Sequence, residues 1–299
     1  MRVLVVGASG LLGSNVLTDA RARGWEATGT VYSTPVAVDE NLPELDVRDT
    51  ERFEQLLETV EPDAVVNCAA LTSVDQCERA PETAHAINGD APGVLARECA
   101  VRDLPFIHIS TDYVFDGTAS VPYRETAAPN PKQVYGESKL AGENAVRYEH
   151  DNALVVRTSF VYGTHGLTGG LEGFAGWVRQ GIRMNEALPL FTDQWVTPTR
   201  AGQLATAVLE LLVAGETGTV HVTSRSCVTP YEFAATIGER LSAPAALFEE
   251  HSLVEDDRPA PRPQYSCLSV NTVEAILGRR QPTIDADLNA LTGALSESS

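Results

Sequence analysis

Short apolar runs alternate with longer stretches of helical period through the first half of the chain. Residues 2–6, RVLVV, hold four valines and leucines in a row, the pattern of a strand buried on both faces. Gly7 ends that strand, and 11–23 carry helical spacing. A second strand is expected at 26–32 (EATGTVY). An amphipathic helix follows at 50–60 (TERFEQLLETV), and Pro62 breaks it before a strand at 63–70 (DAVVNCAA). Residues 80–102 predict mostly helix in spite of Pro92, 105–110 (PFIHIS) a buried strand, 133–149 a helix and 153–159 (ALVVRTS) a strand. Strands alternating with helices imply right-handed βαβ units and a parallel, doubly wound α/β sheet.

Beyond residue 160 the alternation loosens. The glycine-rich stretch 163–176 interrupts it, while a helix at 200–213 and the strand-like TVHVTS at 219–224 indicate that the chain revisits the sheet. The proline-rich 257–266 reads as loop, the tail LSESS as frayed, and no internal repeat is visible. Five cysteines (68, 77, 99, 227, 267) show no CxxC and no short paired spacing, so neither a zinc site nor a disulfide framework is expected, and most read as small buried apolar residues. The six histidines are scattered without HExxH, so no metal site is expected. No apolar run reaches membrane-spanning length, and the chain opens directly on a strand, so a soluble, cytoplasmic protein is expected.

Charge changes the picture in one respect. The formal net charge of −19 argues against nucleic acid and anionic membranes as partners, because the field repels phosphate. The acidic residues are spread along the whole chain, and only two lysines occur, Lys132 and Lys139. That pattern reads as halophilic, an acidic surface that stays hydrated in concentrated salt; a docking face for a basic partner would need a local charge block, and none stands out.

The candidate chemistry starts at VVGASGLLGS. Gly7, Gly10 and Gly13 form GxxGxxG between a strand and a helix, the context a dinucleotide loop requires. Gly7 would permit the tight turn, Gly10 the approach of a pyrophosphate, and Gly13 close packing of the helix, whose first N–H groups face the phosphates. The second strand ends in TVYSTP without an acidic residue until Asp39. Ser33 and Thr34 there could donate to a 2′-phosphate, which favours NADP(H), with NAD(H) as the alternative. Asp46, in LDVRD, is a candidate for the adenine amino group; a helix cap belongs more naturally to Asp49 or Thr50.

GASGLLG, NCAA, STDYVFDG and YGESK occur in that order at 7–13, 67–70, 110–117 and 135–139. Together they resemble the extended short-chain dehydrogenase/reductase family. RTSFVYG (157–163), DQWVTPT (193–199) and RPQYSCL (262–268) narrow the resemblance to its dTDP-4-dehydrorhamnose reductase branch, over most of the chain. The resemblance implies a Rossmann-type cofactor domain at 1–160, with later segments returning to the sheet, and a mainly substrate-binding lobe at 161–299. It implies a nucleotide-sugar substrate and a catalytic set of Thr111, Tyr135 and Lys139. The cofactor set is Gly7, Ser9, Gly10, Leu11, Leu12, Gly13, Ser33, Asp46, Val47, Ala69, Ala70, Tyr135 and Lys139. The sugar pocket falls at Thr72, Val74, Thr111, Tyr113, Phe115, Phe160 and Trp195. Members often form homodimers, the assembly to expect here. The branch often has Trp at Phe160 and Gly at Trp195, so the sugar could differ. A non-catalytic regulatory subunit, like that of methionine adenosyltransferase, and an epimerase or dehydratase are the rival expectations.

The residue types suit ketone reduction. Tyr135 and Lys139, four apart, project from one helix face. A phenol of reference pKa about 10 needs roughly 4 kcal/mol of phenolate stabilisation to exchange its proton easily near neutrality, about 1.4 kcal/mol per unit. A compact ammonium can supply it where the wide fork of arginine fits poorly. Thr111 would orient the carbonyl, with Ser110 as the fallback. YxxxK alone is also compatible with an ordinary helix pair. Asp112 and Asp116 read as loop-fixing Asx residues rather than ligands. Arg157 could meet either a pyrophosphate or a structural carboxylate. Gln194 and Trp195 could touch the nucleotide-sugar or pack at the lobe boundary, and Arg258 or Arg262 could take a phosphate.

Overall fold

A computed structural model describes residues 1–32 and 42–296. In chain order the strands are β1 (Arg2–Val6), β2 (Glu26–Gly29), β3 (Ala64–Asn67), β4 (Phe106–Thr111), β5 (Leu154–Thr158), β6 (Val161–Thr164), β7 (Leu171–Glu172), β8 (Leu188–Phe191), β9 (Thr199–Arg200), β10 (Gly218–His221) and β11 (Phe248–His251). The helices are α1 (Leu11–Ala22), α2 (Thr50–Val60), α3 (Val74–Arg79), α4 (Pro81–Ala84), α5 (Ala91–Ala100), α6 (Val134–Glu149), α7 (Gly173–Met184), α8 (Ala201–Ala214), α9 (Pro230–Leu241), α10 (Asn271–Leu277), α11 (Ile284–Asn289) and α12 (Thr292–Ser296).

Six strands form one parallel sheet in the order β10-β5-β4-β3-β1-β2. Strand alternation explains why β1 is apolar throughout. Val3 and Val5 face a layer that includes Val16 and Leu17 of α1 and Leu204 and Val208 of α8, while Leu4 and Val6 face Phe53, Leu95 and Val146 of α2, α5 and α6. The sheet order reverses around β1, so the crevice at the carboxyl ends of β1 and β3 is the place where a doubly wound sheet offers a ligand site.

Three features differ from the sequence-based expectation. The helix expected at 80–102 is broken into α4, a π-helical turn over His85–Asp90, and α5. Pro92 has no N–H to give the preceding turn, and the ladder shifts there. The second is a disulfide joining Cys227 to Cys267, which corrects the reading of those cysteines as small apolar residues; Cys68, Cys77 and Cys99 are free. The two partners are 40 residues apart and come from the segments before α9 and before α10. Third, the latter part of the chain builds two small sheets, β7-β6-β9 and β11-β8. They pack with α7 and α9 around Tyr162, Val178, Leu188, Phe233 and Ile237.

Helix α6 carries YGESK, and a buried ion cluster pins it to the sheet. Glu143 is fully buried. Its carboxylate accepts from Arg157 of β5 at 2.8 and 2.6 Å, from Ser110 of β4 at 2.6 Å and from Arg147 at 2.7 Å. Burial pushes the Glu143 carboxyl up, but Arg157, Ser110 and Arg147 together outweigh it and hold the group below the usual carboxylate range. Removing one charge of such a cluster strands the others in a dry interior. Glu143→Gln is therefore expected to lower unfolding free energy by about 3 kcal/mol in urea titrations at neutral pH. The wild-type advantage should fade on acidification, because a depressed carboxylate loses its contribution as pH falls through its folded value.

Candidate active site

The glycine loop is built by close approaches rather than by flexibility. Gly7 has φ +80°, and a Cβ on it would lie 2.8 Å from the Ala69 backbone. A Cβ on Gly13 would lie 2.2 Å from the Gly7 carbonyl oxygen. Those two glycines let β1, the loop after β3 and α1 meet. Gly10 differs, since a Cβ there would meet no protein atom closer than 3.6 Å, and Gly10 lines a cavity of about 940 Å³. It is also the N-cap of α1 and makes no side-chain cap, so the first amides of the helix are left to a ligand. This open edge over an uncapped helix start fits a dinucleotide pyrophosphate.

The same cavity is lined by Ser9, Leu11, Leu12, Asp46, Val47, Ala69 and Ala70, so these expected cofactor residues share one cleft. Ser33, Thr34 and Asp39 lie outside the described residues. Asp46 is not a free acceptor. Arg48 grips it at 2.9 and 2.6 Å, and that hydrogen bonding holds the carboxylate below its usual range. Arg48 itself lines the cleft beside Tyr32, a cation that sequence reasoning passed over although it stands two residues after Asp46.

Thr111, Tyr135 and Lys139 also line the cleft. Thr111 ends β4 and Tyr135 lies in the first turn of α6; the Thr111 hydroxyl donates to Asp112 at 3.0 Å and accepts from the Tyr113 amide at 3.2 Å. Burial pushes the Tyr135 phenol up, so it holds its proton. Lys139 is 2% exposed, and its Nζ donates to the Ile109 carbonyl at 2.7 Å and lies 3.3 Å from His108 Nε2. Among the described residues no hydrogen bond joins Lys139 to Tyr135, so the expected direct ammonium–phenol contact is not formed here. Burial pushes the Lys139 amine down to about 8. Ser110, the fallback, is committed to Glu143.

On the substrate side Thr72, Val74, Tyr113 and Phe160 line the cavity. Phe115 corrects the expectation. It is fully buried, stacked on Tyr123 at 4.2 Å and lying under the Arg157 guanidinium, so it supports the loop from behind. Trp195 is 36% exposed, bridges Tyr265 through its backbone and does not line the cleft, whereas its neighbour Gln194 donates to the Tyr113 hydroxyl at 3.3 Å. Arg157 serves Glu143 and not a phosphate. Arg262 is bidentate on Asp75 at 3.0 and 2.9 Å, and Arg258 pairs with Asp256 and covers Phe191. Asp116 collects Thr118 and Tyr123, and Asp112 accepts from Thr111 and Ser159, so both fix the loop as expected.

Comparison with known proteins adds an independent line. A model of the RmlD substrate binding domain matches residues 1–296. The probable low-salt glycan biosynthesis reductase Agl14 of Haloferax volcanii is 49% identical over 297 residues, covering 99% of each chain. The dTDP-4-dehydrorhamnose reductase of Mycolicibacterium smegmatis is 34% identical over 90% of this chain and 78% of its own. Among solved structures, the Bacillus anthracis dTDP-4-dehydrorhamnose reductase in complex with NADP aligns with TM-score 0.86 and 28% identity, covering 97% of both chains. The Thermus thermophilus UDP-glucose 4-epimerase, in complex with NAD, aligns with TM-score 0.85 over all of both chains at 22% identity, a likeness of fold alone.

The buried amine makes a stability prediction with a definite sign. Its folded pKa is about 8 against an ordinary 10.5, so the unfolded chain binds the proton more tightly and stability rises with pH between those values. Below pH 8 the buried charge costs about 3 kcal/mol, and loss of the Ile109 bond returns about 1 kcal/mol. Lys139→Met is thus expected to be more stable than wild type by about 2 kcal/mol at pH 7, with the gap closing towards pH 10, measured by denaturant titration across pH.

Proposed function

This chain belongs to the RmlD substrate binding domain family, and we propose that it is an NADP(H)-dependent reductase of a nucleotide-activated 4-keto-6-deoxy sugar, with dTDP-4-dehydrorhamnose the first candidate. The observation that carries the reading is the convergence in one cleft of an uncapped helix N-terminus behind a glycine loop with Thr111, Tyr135 and Lys139. The names of the relatives support the class, since the Haloferax and Mycolicibacterium proteins are both called reductases. The NADP complex of the Bacillus structure supports the cofactor. Residues 1–160 together with β10 would hold the cofactor, and 161–299 would mainly shape the sugar pocket.

The cofactor's nicotinamide supplies the hydride for C4 of the sugar. Tyr135 gives its proton to the carbonyl oxygen; burial pushes the phenol up, so ready transfer calls for a cation brought near it when the cofactor binds. Thr111 orients the carbonyl from the end of β4. Lys139, tied to Ile109 by one hydrogen, has another to give to a ribose hydroxyl and places its charge one helical turn from Tyr135. Arg48 is the cation at the β2 end of the cleft and suits a 2′-phosphate. The acidic, lysine-poor surface suits a cytoplasmic enzyme working in concentrated salt.

The test is NADPH oxidation with a panel of 4-keto nucleotide sugars in high salt. Turnover with at least one is expected. NADPH binding without turnover on any of them would overturn the reductase reading in favour of a regulatory subunit, and redox-neutral conversion of the sugar would favour an epimerase or dehydratase. Tyr135→Phe is expected to lose at least about 10²-fold in kcat while still binding NADPH, the size of a lost general acid. Lys139→Arg is expected to lose a comparable amount despite its conserved charge.

A further inference from the structure

Beneath the Tyr135–Lys139 face of α6, two polar side chains line up across neighbouring strands. Asn67 ends β3 and stands opposite His108 of β4 in the sheet register, so both project towards α6. Both are buried, at 1% and 0% exposure. Asn67 Nδ2 lies 3.2 Å from His108 Nδ1, and His108 Nε2 lies 3.3 Å from Lys139 Nζ.

Counting donors assigns the hydrogens. The Ala69 amide donates to Asn67 Oδ1 at 3.1 Å, which turns the Asn67 NH2 towards His108. Burial, with Lys139 and Arg147 adding repulsion, holds His108 far below its usual range, so the ring is neutral. A neutral imidazole has one acceptor nitrogen, and the Asn67 NH2 claims it at Nδ1. The ring hydrogen is then on Nε2, aimed at Lys139. Nζ already donates at 2.7 Å to Ile109, and a bond from His108 requires a lone pair that an amine has and an ammonium lacks.

We infer that Asn67 and His108 are positioning residues that disfavour the ammonium form of Lys139 in the cofactor-free protein, the imidazole tautomer being coupled to the charge of the lysine. The inference rests on the reading of Lys139 as the partner of Tyr135. Protonating Lys139 obliges the ring hydrogen to move to Nδ1, where it meets the Asn67 NH2 head on. A ligand that adds acceptors at the cleft side of Nζ would favour the ammonium. The other titratable groups around this amine do not supply that charge balance. Glu143 favours the ammonium but is already bound by Arg157, Arg147 and Ser110. Cys68 and Cys77 are pushed up by burial and remain thiols, and Tyr135 remains a phenol. Burial lowers the amine in the same direction as the imidazole hydrogen does.

With two lysines and six histidines in the chain, side-chain NMR of the whole cofactor-free protein tests this directly. Lys132→Arg assigns the Lys139 13Cε signal, and His108→Phe assigns the His108 ring nitrogens. At a pH of about 9, where the amine is unprotonated, wild-type His108 is expected to carry its hydrogen on Nε2 with Nδ1 bare. A hydrogen on Nδ1, or a doubly protonated ring, would overturn the inference, and this measurement needs no variant to fold. Asn67→Asp offers Nδ1 only acceptors. It is expected to switch the tautomer and raise the Lys139 titration midpoint by about one pH unit or more, tenfold in proton affinity. The new carboxylate could act through space, so the same substitution is made in His108→Phe. A rise that vanishes without the imidazole supports the coupling; a rise that persists undiminished overturns it. Neither readout uses turnover, so an inactive protein with hydrogen on Nε2 would sink the reductase reading alone.

Discussion

The structure depends on burying one ammonium-forming group, Lys139, between β4 and α6. An amine 2% exposed is a liability to the fold, yet it must stay at one place relative to Tyr135. Helix α6 is therefore held by something stronger than packing. Glu143, one turn after Lys139, is gripped by Arg157 and Ser110 from two strands. Small residues let α6 come close enough, since a Cβ on Gly142 would stand 2.1 Å from the Asn88 carbonyl oxygen. Asn88 in turn binds both backbone polar atoms of Leu71, which sets the loop that carries Ala69 and Ala70 past the cleft. The cofactor loop, the helix and the ion cluster thus form one mechanical unit around the lysine.

Charge economy follows from the same arrangement. A chain with net charge −19 that takes a dinucleotide and a nucleotide-sugar would be expected to aim free arginines at phosphates. Here Arg157, Arg258 and Arg262 are each committed to a carboxylate. The uncapped α1 amides are left as donors at the edge of the cleft.

What was legible in the sequence is what depends on local pattern. The strand β1, the glycine loop, helix α6 and the Tyr135–Lys139 pair follow from spacing of residues close in the chain. What was not legible depends on who meets whom across the fold. The Cys227–Cys267 bond spans 40 residues with no motif, and strands β7 and β9 are two residues each, too short for any periodicity. Phe115 and Phe160 are both aromatic residues in family-like strings, yet one is fully buried behind the loop and the other lines the cleft. Arg157 reads the same from sequence whether it meets a phosphate or Glu143. His108 sits in a strand of apolar residues, where it passes for an ordinary core histidine until its neighbours are placed.

The choice between Ser110 and Thr111 shows how topology assigns chemistry that composition leaves open. Both are hydroxyls at the end of β4, and strand parity sends them to opposite faces. Ser110 pairs with Arg157 in the sheet register and turns its Oγ onto Glu143, so its hydrogen is spent on the ion cluster. The Thr111 hydroxyl donates to Asp112 at 3.0 Å and accepts from the Tyr113 amide at 3.2 Å. For Thr111 to orient a carbonyl, its hydrogen must swing from Asp112 to the substrate. Asp112 would then keep the Ser159 bond to its other oxygen at 2.8 Å, and burial, which pushes its carboxyl up to about 6, favours the return of a donor. With Thr111 and Ser159 on its two oxygens, Asp112 fixes the turn after β4 in this structure.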